Sequence, residues 1–430
     1  MQESIAVFLL LGFFAVMIIC HLPVTFALVI STATVMLYLD IPMMTMLQQM
    51  AKSVNSFSLL AIPFFILMGE IMGAGGISDR LLKFANVLVG RFRGGLAYVN
   101  VLASMFFGGI SGSAVADVSS LGKIEIPMME DAGYDKDFSI CVTVTSACQG
   151  LLIPPSHNMV LYAMTAGGVS VGKLFLAGYI PGILLGLALM VLCYIFAVKR
   201  NYPKGEPVSF KEALLITKDA IFAIGAMVII VGGVVAGFFT ATEAAAIGCI
   251  YCFLVATLVY RELHIKDMGR ILYNTVKTLA MIYSLIAAAG AFGWMMAYLR
   301  IPAKFTELLM GISDNKIVVL LLINIILLLL GCIMDMAPLI LIVTPIMLPV
   351  VEKFGMDPVQ FGIMLIANLA IGLLTPPVGS CLYAGCAVGG AKIEKITKCL
   401  LPFYFTMFIV LLMITFIPAL SMTLPNLLMG

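Results

Sequence analysis

The sequence predicts an all-α polytopic membrane fold built from two inverted repeats, each with a re-entrant hairpin and a broken helix. Three observations carry that prediction. The first is composition. Of 430 residues, 62% are hydrophobic and 11% are charged, too little charge to cover a water-soluble surface of this size. Apolar runs of about 20 residues, enough to cross a bilayer, recur along the whole chain. The second is an internal duplication. Gln149–Pro155 reads QGLLIPP and Ile371–Pro377 reads IGLLTPP, with Gly150 and Gly372 at an offset of 222. The same offset pairs Gly109 with Gly331, Pro127 with Pro349, Gly133 with Gly355 and Asp135 with Asp357. The third is a pair of apolar regions, about 95–130 and 316–350, each too long for one span and each carrying small or polar residues near its middle.

Taken in order, spans are expected at 4–20, 22–39 and 57–73. Residues 77–90 place apolar side chains at Ile77, Leu81, Phe84, Ala85 and Leu88, with polar residues between them. That spacing gives a helix with one apolar face, suited to lie along the membrane interface. Region 95–130 is read as a hairpin whose tip is Gly108-Gly109-Ile110-Ser111-Gly112-Ser113, followed by Asp117. A span over 137–166 is broken by Pro154-Pro155, because proline removes a donor and clashes with the preceding turn. Spans then follow at 171–198, 214–237, 241–259 and 271–298, with a shorter amphipathic helix at 303–312. The second hairpin, 316–350, turns at Gly331–Pro338. A second broken span, 358–388, and a last span, 400–423, complete the chain. Four segments result: 1–94, scaffold spans and first arm helix; 95–198, first hairpin, broken helix and following span; 199–315, polar loop, scaffold spans and second arm; 316–430, second hairpin, broken helix and last span. Glycines at Gly73–Gly76 and Gly94–Gly95 are expected to serve as joints.

Charge orients the chain. Counting alternate connections with the N-terminus outside puts eighteen of the 24 Lys and Arg on one face and six on the other. The richer face is the cytoplasmic one, so both termini are expected outside, in the periplasm of an inner-membrane protein. The hairpins then re-enter from opposite sides, as inversion requires. The net charge of +2 and the scattered basic residues suggest no nucleic-acid partner. Ten cysteines lie in apolar segments without metal or disulfide spacing, and are expected to be packing residues. The acidic start, Met1-Gln2-Glu3, is unlike a cleavable signal peptide.

Non-helical backbone is tolerated at membrane depth only where protein or a watery cavity surrounds it. Matching breaks in two halves therefore point to a binding site of the kind transporters build. Hydroxyls at Ser111 and Ser113, with carbonyls freed by the Gly150–Pro155 break, are hard oxygen donors suited to Na⁺, or else small residues that let helices pack closely. Ionisable groups at depth are functional candidates. Asp117 and Asp335 flank the tips, where either could instead cap a half-helix. Glu70 and Glu243 read more readily as helix-end or interfacial acids. His157 directly follows the first break, and a packing role is open to it as well. No nucleophile elbow, zinc or nucleotide motif is present.

The stretches LLAIPFFILMGEIMGAGGIS (59–78), RGGLAYVNVLASMFFGGISGSAVAD (93–117), IPMMEDAGY (126–134), IPPS (153–156), KLFLAGYIPG (173–182), TATEAAAIG (240–248) and LTPPVG (374–379) together resemble the large membrane subunit of tripartite ATP-independent periplasmic (TRAP) transporters. The resemblance runs across nearly the whole chain. It implies no enzyme but an elevator-type Na⁺ symporter for organic acids such as C4-dicarboxylates or sialic acid. It also implies two partners, a small four-helix membrane subunit and a periplasmic substrate-binding protein; with no small subunit fused here, the chain is expected not to work alone. By motif, one ion would be held by Ser111, Gly112 and Ser113 with Gly150, Ile153 and Pro154. Another would be held by Met334 and Asp335 with Gly372, Thr375 and Pro376. Ser111, Ser156, His157, Asn158, Asp335 and Ser380 become the expected substrate contacts. His157 departs from the apolar residue expected after IPPS. The rivals are a self-sufficient dicarboxylate symporter, an intramembrane enzyme resting on Asp117 and Asp335, and a passive channel.

Overall fold

The computed structural model describes residues 2–205 and 208–429, apart from the side chains of residues 109–111. The described residues form helices joined by short turns: α1 (Gln2–Ile19), α2 (Val24–Tyr38), α3 (Met43–Val54), α4 (Ala61–Ala74), α5 (Ile77–Val89), α6 (Gly95–Ser111), α7 (Ala114–Ser120), α8 (Gly122–Asp131), α9 (Lys136–Gly150), α10 (His157–Thr165) and α11 (Val171–Lys199). The second part continues with α12 (Phe210–Val235), α13 (Ala241–Leu254), α14 (Ile265–Tyr298), α15 (Ile301–Ile312), α16 (Lys316–Gly331), α17 (Met336–Lys353), α18 (Pro358–Gly372), α19 (Ser380–Gly389), α20 (Ile393–Phe416) and α21 (Pro418–Met429). Eight segments among the described residues are long and apolar enough to cross a membrane.

The two expected hairpins and both broken helices are present. Helix α6 turns at Gly112 into α7 and α8, and α16 turns at Cys332–Asp335 into α17. The break separates α9 from α10, and its counterpart separates α18 from α19. Helices α9 and α18 lie at the centre. Every residue from Phe138 to Gly150 is buried, as is every residue from Val359 to Gly372. Helix α9 carries hydroxyls despite this burial. It satisfies them by returning each to its own preceding turn: Thr143 to Ser139, Thr145 to Cys141 and Ser146 to Val142. The hairpins are exchanged across the centre. The descending limb of the first, α7 and α8, packs on α19, and that of the second, α17, packs on α10.

Three sequence expectations need correction. The register of the duplication slips by one at the hairpins: Gly108 meets Gly150 as Gly331 meets Gly372. The last span runs over 393–416, and Pro418 opens a separate short helix, α21. An extra helix, α3, precedes the third span. The offset of 222 maps residues 43–74 onto 265–296, which form one unbroken helix in α14. In the first half Asn55 and Ser56 interrupt it, and neither is a strong helix former. Helix α3 has no buried residue and a polar face of Gln48, Gln49 and Lys52, so a search for apolar runs passes over it.

The joints also differ from expectation. A Cβ on Gly75 would strike Ala256, and one on Gly76 would strike Glu262. Gly75–Gly76 is thus a packed corner, although Gly73 faces open space, and Arg80 just beyond it is locked to the scaffold. Its Nε donates to Asp219 Oδ2 (3.1 Å), its Nη1 to Glu262 Oε1 (2.8 Å), and its guanidinium lies 3.7 Å from the Tyr260 ring centroid. The second elbow, Gly90–Gly95, is tied to the polar loop after α11. Gly94 N–H donates to Pro203 (3.1 Å), Arg93 Nη2 to Asn201 (2.7 Å), and Arg93 and Lys204 form an antiparallel bridge. That loop is in turn held to α9, where Arg200 and the Tyr202 hydroxyl both reach Asp135 Oδ2, at 2.7 and 2.6 Å.

Candidate functional site

Each hairpin meets its break through a pair of glycines. A Cβ on Gly150 would stand 2.5 Å from the Ser104 carbonyl oxygen and 2.9 Å from Gly108 Cα; one on Gly372 would stand 2.6 Å from Gly331 Cα. Only glycine permits so close an approach of two backbones. The main chain beyond each glycine narrows into tight turns, with Ile153 N–H bonding to Gly150 O and Thr375 N–H to Gly372 O. Both Pro-Pro bonds, 154–155 and 376–377, are cis. Proline has no N–H to return to the preceding turn, so each break releases carbonyls from helical hydrogen bonding close to a hairpin tip.

The tips are fastened to the helices beyond the breaks at equivalent places. Asn158 Nδ2 donates to the Gly112 carbonyl (2.9 Å), and Ser380 Oγ donates to Asp335 Oδ1 (3.1 Å). Gly112 adopts a left-handed φ of 61°, and a Cβ there would strike His157 Nδ1. Glycine is therefore required on both counts. Ser113 caps α7, its Oγ accepting from Ala116 N–H (3.3 Å). The Thr375 hydroxyl donates to Ile371 O (2.9 Å) and lies against the Cys332 and Tyr404 side chains. Hydroxyl and carbonyl oxygens of this kind suit a hard monovalent cation. The side chain of Ser111 lies outside the described residues.

The remaining expected residues divide. Ile153, Pro154, Ser156 and Met334 are buried, whereas Pro376 and Ser380 are partly exposed and Asp335 is exposed. Asp335 stands at the N-cap position of α17 but makes no capping bond there; its carboxylate turns to Ser380. Asp117 does not cap α7 either. It is buried, with Ser104 as a hydrogen-bond partner and Oδ2 unpartnered among the described residues. Helix α19 packs on α7 and carries Ser380, which bonds to Asp335, so it links the two hairpins. Glu243 is a helix-end acid, closing a capping box with Thr240.

Glu70 is not at a helix end. It sits within α4, accepts from Asn274 Nδ2 (3.2 Å), and faces a cavity of about 590 Å³ between α4 and α14 on one side and the first hairpin on the other. Ser113, Ser119, Ser120, Lys123 and His157 line the hairpin side; Arg270 and Asn274 line the scaffold side. Of the expected substrate contacts with described side chains, only His157 lines this cavity; Ser156, Asn158, Asp335 and Ser380 do not. Sequence reasoning missed Lys123, Arg270 and Asn274, which are ordinary polar residues when seen singly. It also missed the buried ladders behind the tips. Asn100 donates to Thr143 (2.7 Å) and accepts from Ser146 (2.6 Å); Asn324 accepts from Asn368 (2.9 Å) and donates to Thr415 (3.2 Å). An Asn inside the apolar first limb of each hairpin was the available signal. Glu125, fully buried with both carboxylate oxygens unpartnered among the described residues, was likewise unweighted.

Comparison with known proteins follows the same lines. The family described as "Tripartite ATP-independent periplasmic transporter, DctM component" matches residues 11–420. The sialic acid TRAP transporter large permease protein SiaM of Vibrio cholerae is 41% identical, over 89% of this chain and 90% of that protein. The C4-dicarboxylate TRAP transporter large permease protein DctM of Pseudomonas aeruginosa is 38% identical, over 91% of this chain and 92% of that protein. Among solved structures, the YdaH transporter of Alcanivorax borkumensis aligns with a TM-score of 0.62 at 15% identity, covering 85% of this chain and 86% of that one, a likeness of fold.

Proposed function

The chain belongs to the DctM component family of the tripartite ATP-independent periplasmic transporters, and on that premise we propose that it is the permease of a Na⁺-coupled importer of organic acids. The observation that supports this reading best is the repeated junction of tip and break. In both halves a glycine pair brings freed carbonyls against a hairpin tip, and an equivalent residue, Asn158 or Ser380, fastens the two together. Ser113 and Thr375 add a hydroxyl to each junction. Na⁺ would be held there by Ser113, Gly112, Gly150, Ile153 and Pro154 on one side. On the other it would be held by Met334, Asp335, Gly372, Thr375 and Pro376.

The organic acid would occupy the cavity between the first hairpin and α4 and α14, where Lys123 and Arg270 outnumber Glu70. Each hairpin and its break would move together past the scaffold, because a tip pulled from its break would leave backbone groups unpaired at membrane depth, at several kcal/mol each. A small four-helix membrane subunit would steady the scaffold, and a periplasmic binding protein would deliver the substrate and supply most of the selectivity.

Reconstitution tests the reading. Liposomes containing the chain and the small subunit should accumulate organic acid only with an inward Na⁺ gradient and the loaded binding protein. Ser113→Ala and Thr375→Ala should each raise the Na⁺ concentration for half-maximal uptake. Uptake that is indifferent to Na⁺, or that proceeds equally well without the binding protein, sinks it.

A further inference from the structure

Away from the tips, α5 and α12 enclose a second cavity, of about 440 Å³, lined by Arg80, Lys83, Leu215, Ile216, Lys218, Asp219 and Phe222. The α12 residues Leu215, Lys218, Asp219 and Phe222 recur at helical spacing, so they share one face. The charges in this cavity are already partly spoken for. Arg80 is neutralised by Asp219 and Glu262, which also fixes how α5 lies against α12. Lys83 and Lys218 remain, both exposed, and neither has an ion pair among the described residues. Beside them the wall is apolar. Leu215 and Phe222 are exposed, and Leu214 and Ile221 continue an open hydrocarbon surface down the helix.

The position is that of a membrane interface. Helix α5 is amphipathic, with Ile77, Leu81, Leu82 and Ala85 turned inward. Helix α12 carries Lys211, Glu212, Lys218 and Asp219 in its first part and no charge from Ala220 to Val235. Two unpaired cations above an apolar groove at that depth match one kind of ligand, a phosphate diester attached to acyl chains. We propose that this cavity binds the headgroup of an anionic phospholipid, its phosphate between Lys83 and Lys218 and an acyl chain along Leu215 and Phe222. A soluble anion would gain nothing from the apolar wall. The bound lipid would brace α5, the helix that leads into the first hairpin, against α12.

The test uses the full chain purified in neutral detergent. Thermal unfolding is followed with phosphatidylglycerol, with phosphatidylcholine and with inorganic phosphate, and lipid retention is read by native mass spectrometry. Phosphatidylglycerol should raise the melting temperature and stay bound, and the other two should do neither. Lys83→Gln and Lys218→Gln should each weaken the lipid's effect by about fivefold, the change carried by one basic side chain at an anionic surface. Lys392→Gln, far along the chain, should leave it intact. Equal stabilisation by inorganic phosphate would make this a free-anion site and overturn the proposal. So would equal retention of phosphatidylcholine, which is read on the wild-type chain and does not depend on any variant folding.

Discussion

The first break is buried along its length, whereas the second is half open. Residues 151–156 are all buried; of their counterparts 373–378, Pro377 and Val378 are exposed. The Asn158 tie is buried and ends on a main-chain carbonyl, whereas the Ser380 tie is exposed and ends on a carboxylate. Beyond the breaks the solutions also diverge. Gly178 of α11 lets that helix close directly over the Leu152 carbonyl, while Tyr404 of α20 reaches the equivalent Leu374 carbonyl with its hydroxyl. What the duplication keeps is a backbone contact and a hydrogen bond at a fixed place. The side chains that make them are free to change. One junction is built by packing and the other by polar reach, so they should fail differently.

The glycine pairs should separate them most sharply. Gly150→Ala must push Ser104 or Gly108 aside, and Gly372→Ala must push Gly331, at about 1–3 kcal/mol each for overpacking. Both should abolish uptake. Gly331→Ala meets its nearest atom at 3.1 Å and should keep partial uptake and a melting temperature between those of wild type and Gly372→Ala. Equal damage from all three would mean that the close approach is not what the glycines provide.

The ties come next. Asn158→Ala leaves a buried carbonyl unpaired, which costs roughly 1–3 kcal/mol. Ser380→Ala exposes its partner only to water and should stay near the low end of about 0.5–1.5 kcal/mol. The reverse order in denaturant midpoints would contradict the contrast between the buried break and the half-open one. Tyr404→Phe should cost about 0.5–1.5 kcal/mol, since it removes a donor from the second break only. Its effect on Na⁺ dependence should resemble that of Thr375→Ala more than that of Ser113→Ala.

The smallest effect belongs to the strap beneath the first junction. The Tyr202 hydroxyl, and then Arg200, hold the Asp135 carboxyl below the usual carboxylate range, while burial and Asp135 raise the Tyr202 hydroxyl to about 12. A lowered acid contributes stability that is complete above its unfolded value, about 3.9, and is lost as pH falls through its folded value. Wild type should therefore lose stability more steeply than Asp135→Asn below about pH 4 and in parallel with it at neutral pH. Parallel melting curves down to the acid limit would remove Asp135 from the strap.

Much of this was legible in the sequence, because hairpins and breaks leave marks that an apolar background cannot hide. GLLxPP twice and GGISGS once locate both breaks and the first tip. The rest depended on groups that are ordinary one at a time. Arg80 reads as one more interfacial cation until Asp219 and Glu262 are brought to it from about 140 and 180 positions away. Asn100 and Asn324 are single polar residues within apolar runs, and their role appears only when the helix they bond to is known. Helix α3 was lost because a short interfacial helix has neither the length nor the apolarity that a span search rewards.

The bridge between Arg93 and Lys204 carries a practical consequence. The chain enters the first hairpin region and leaves α11 through the same small seam, stitched by the hydrogen bonds from Gly94 to Pro203 and from Arg93 to Asn201. Two labels placed there should report one unvarying separation throughout turnover. In a spectroscopic study of this protein, that seam is the fiducial mark against which every other distance can be calibrated.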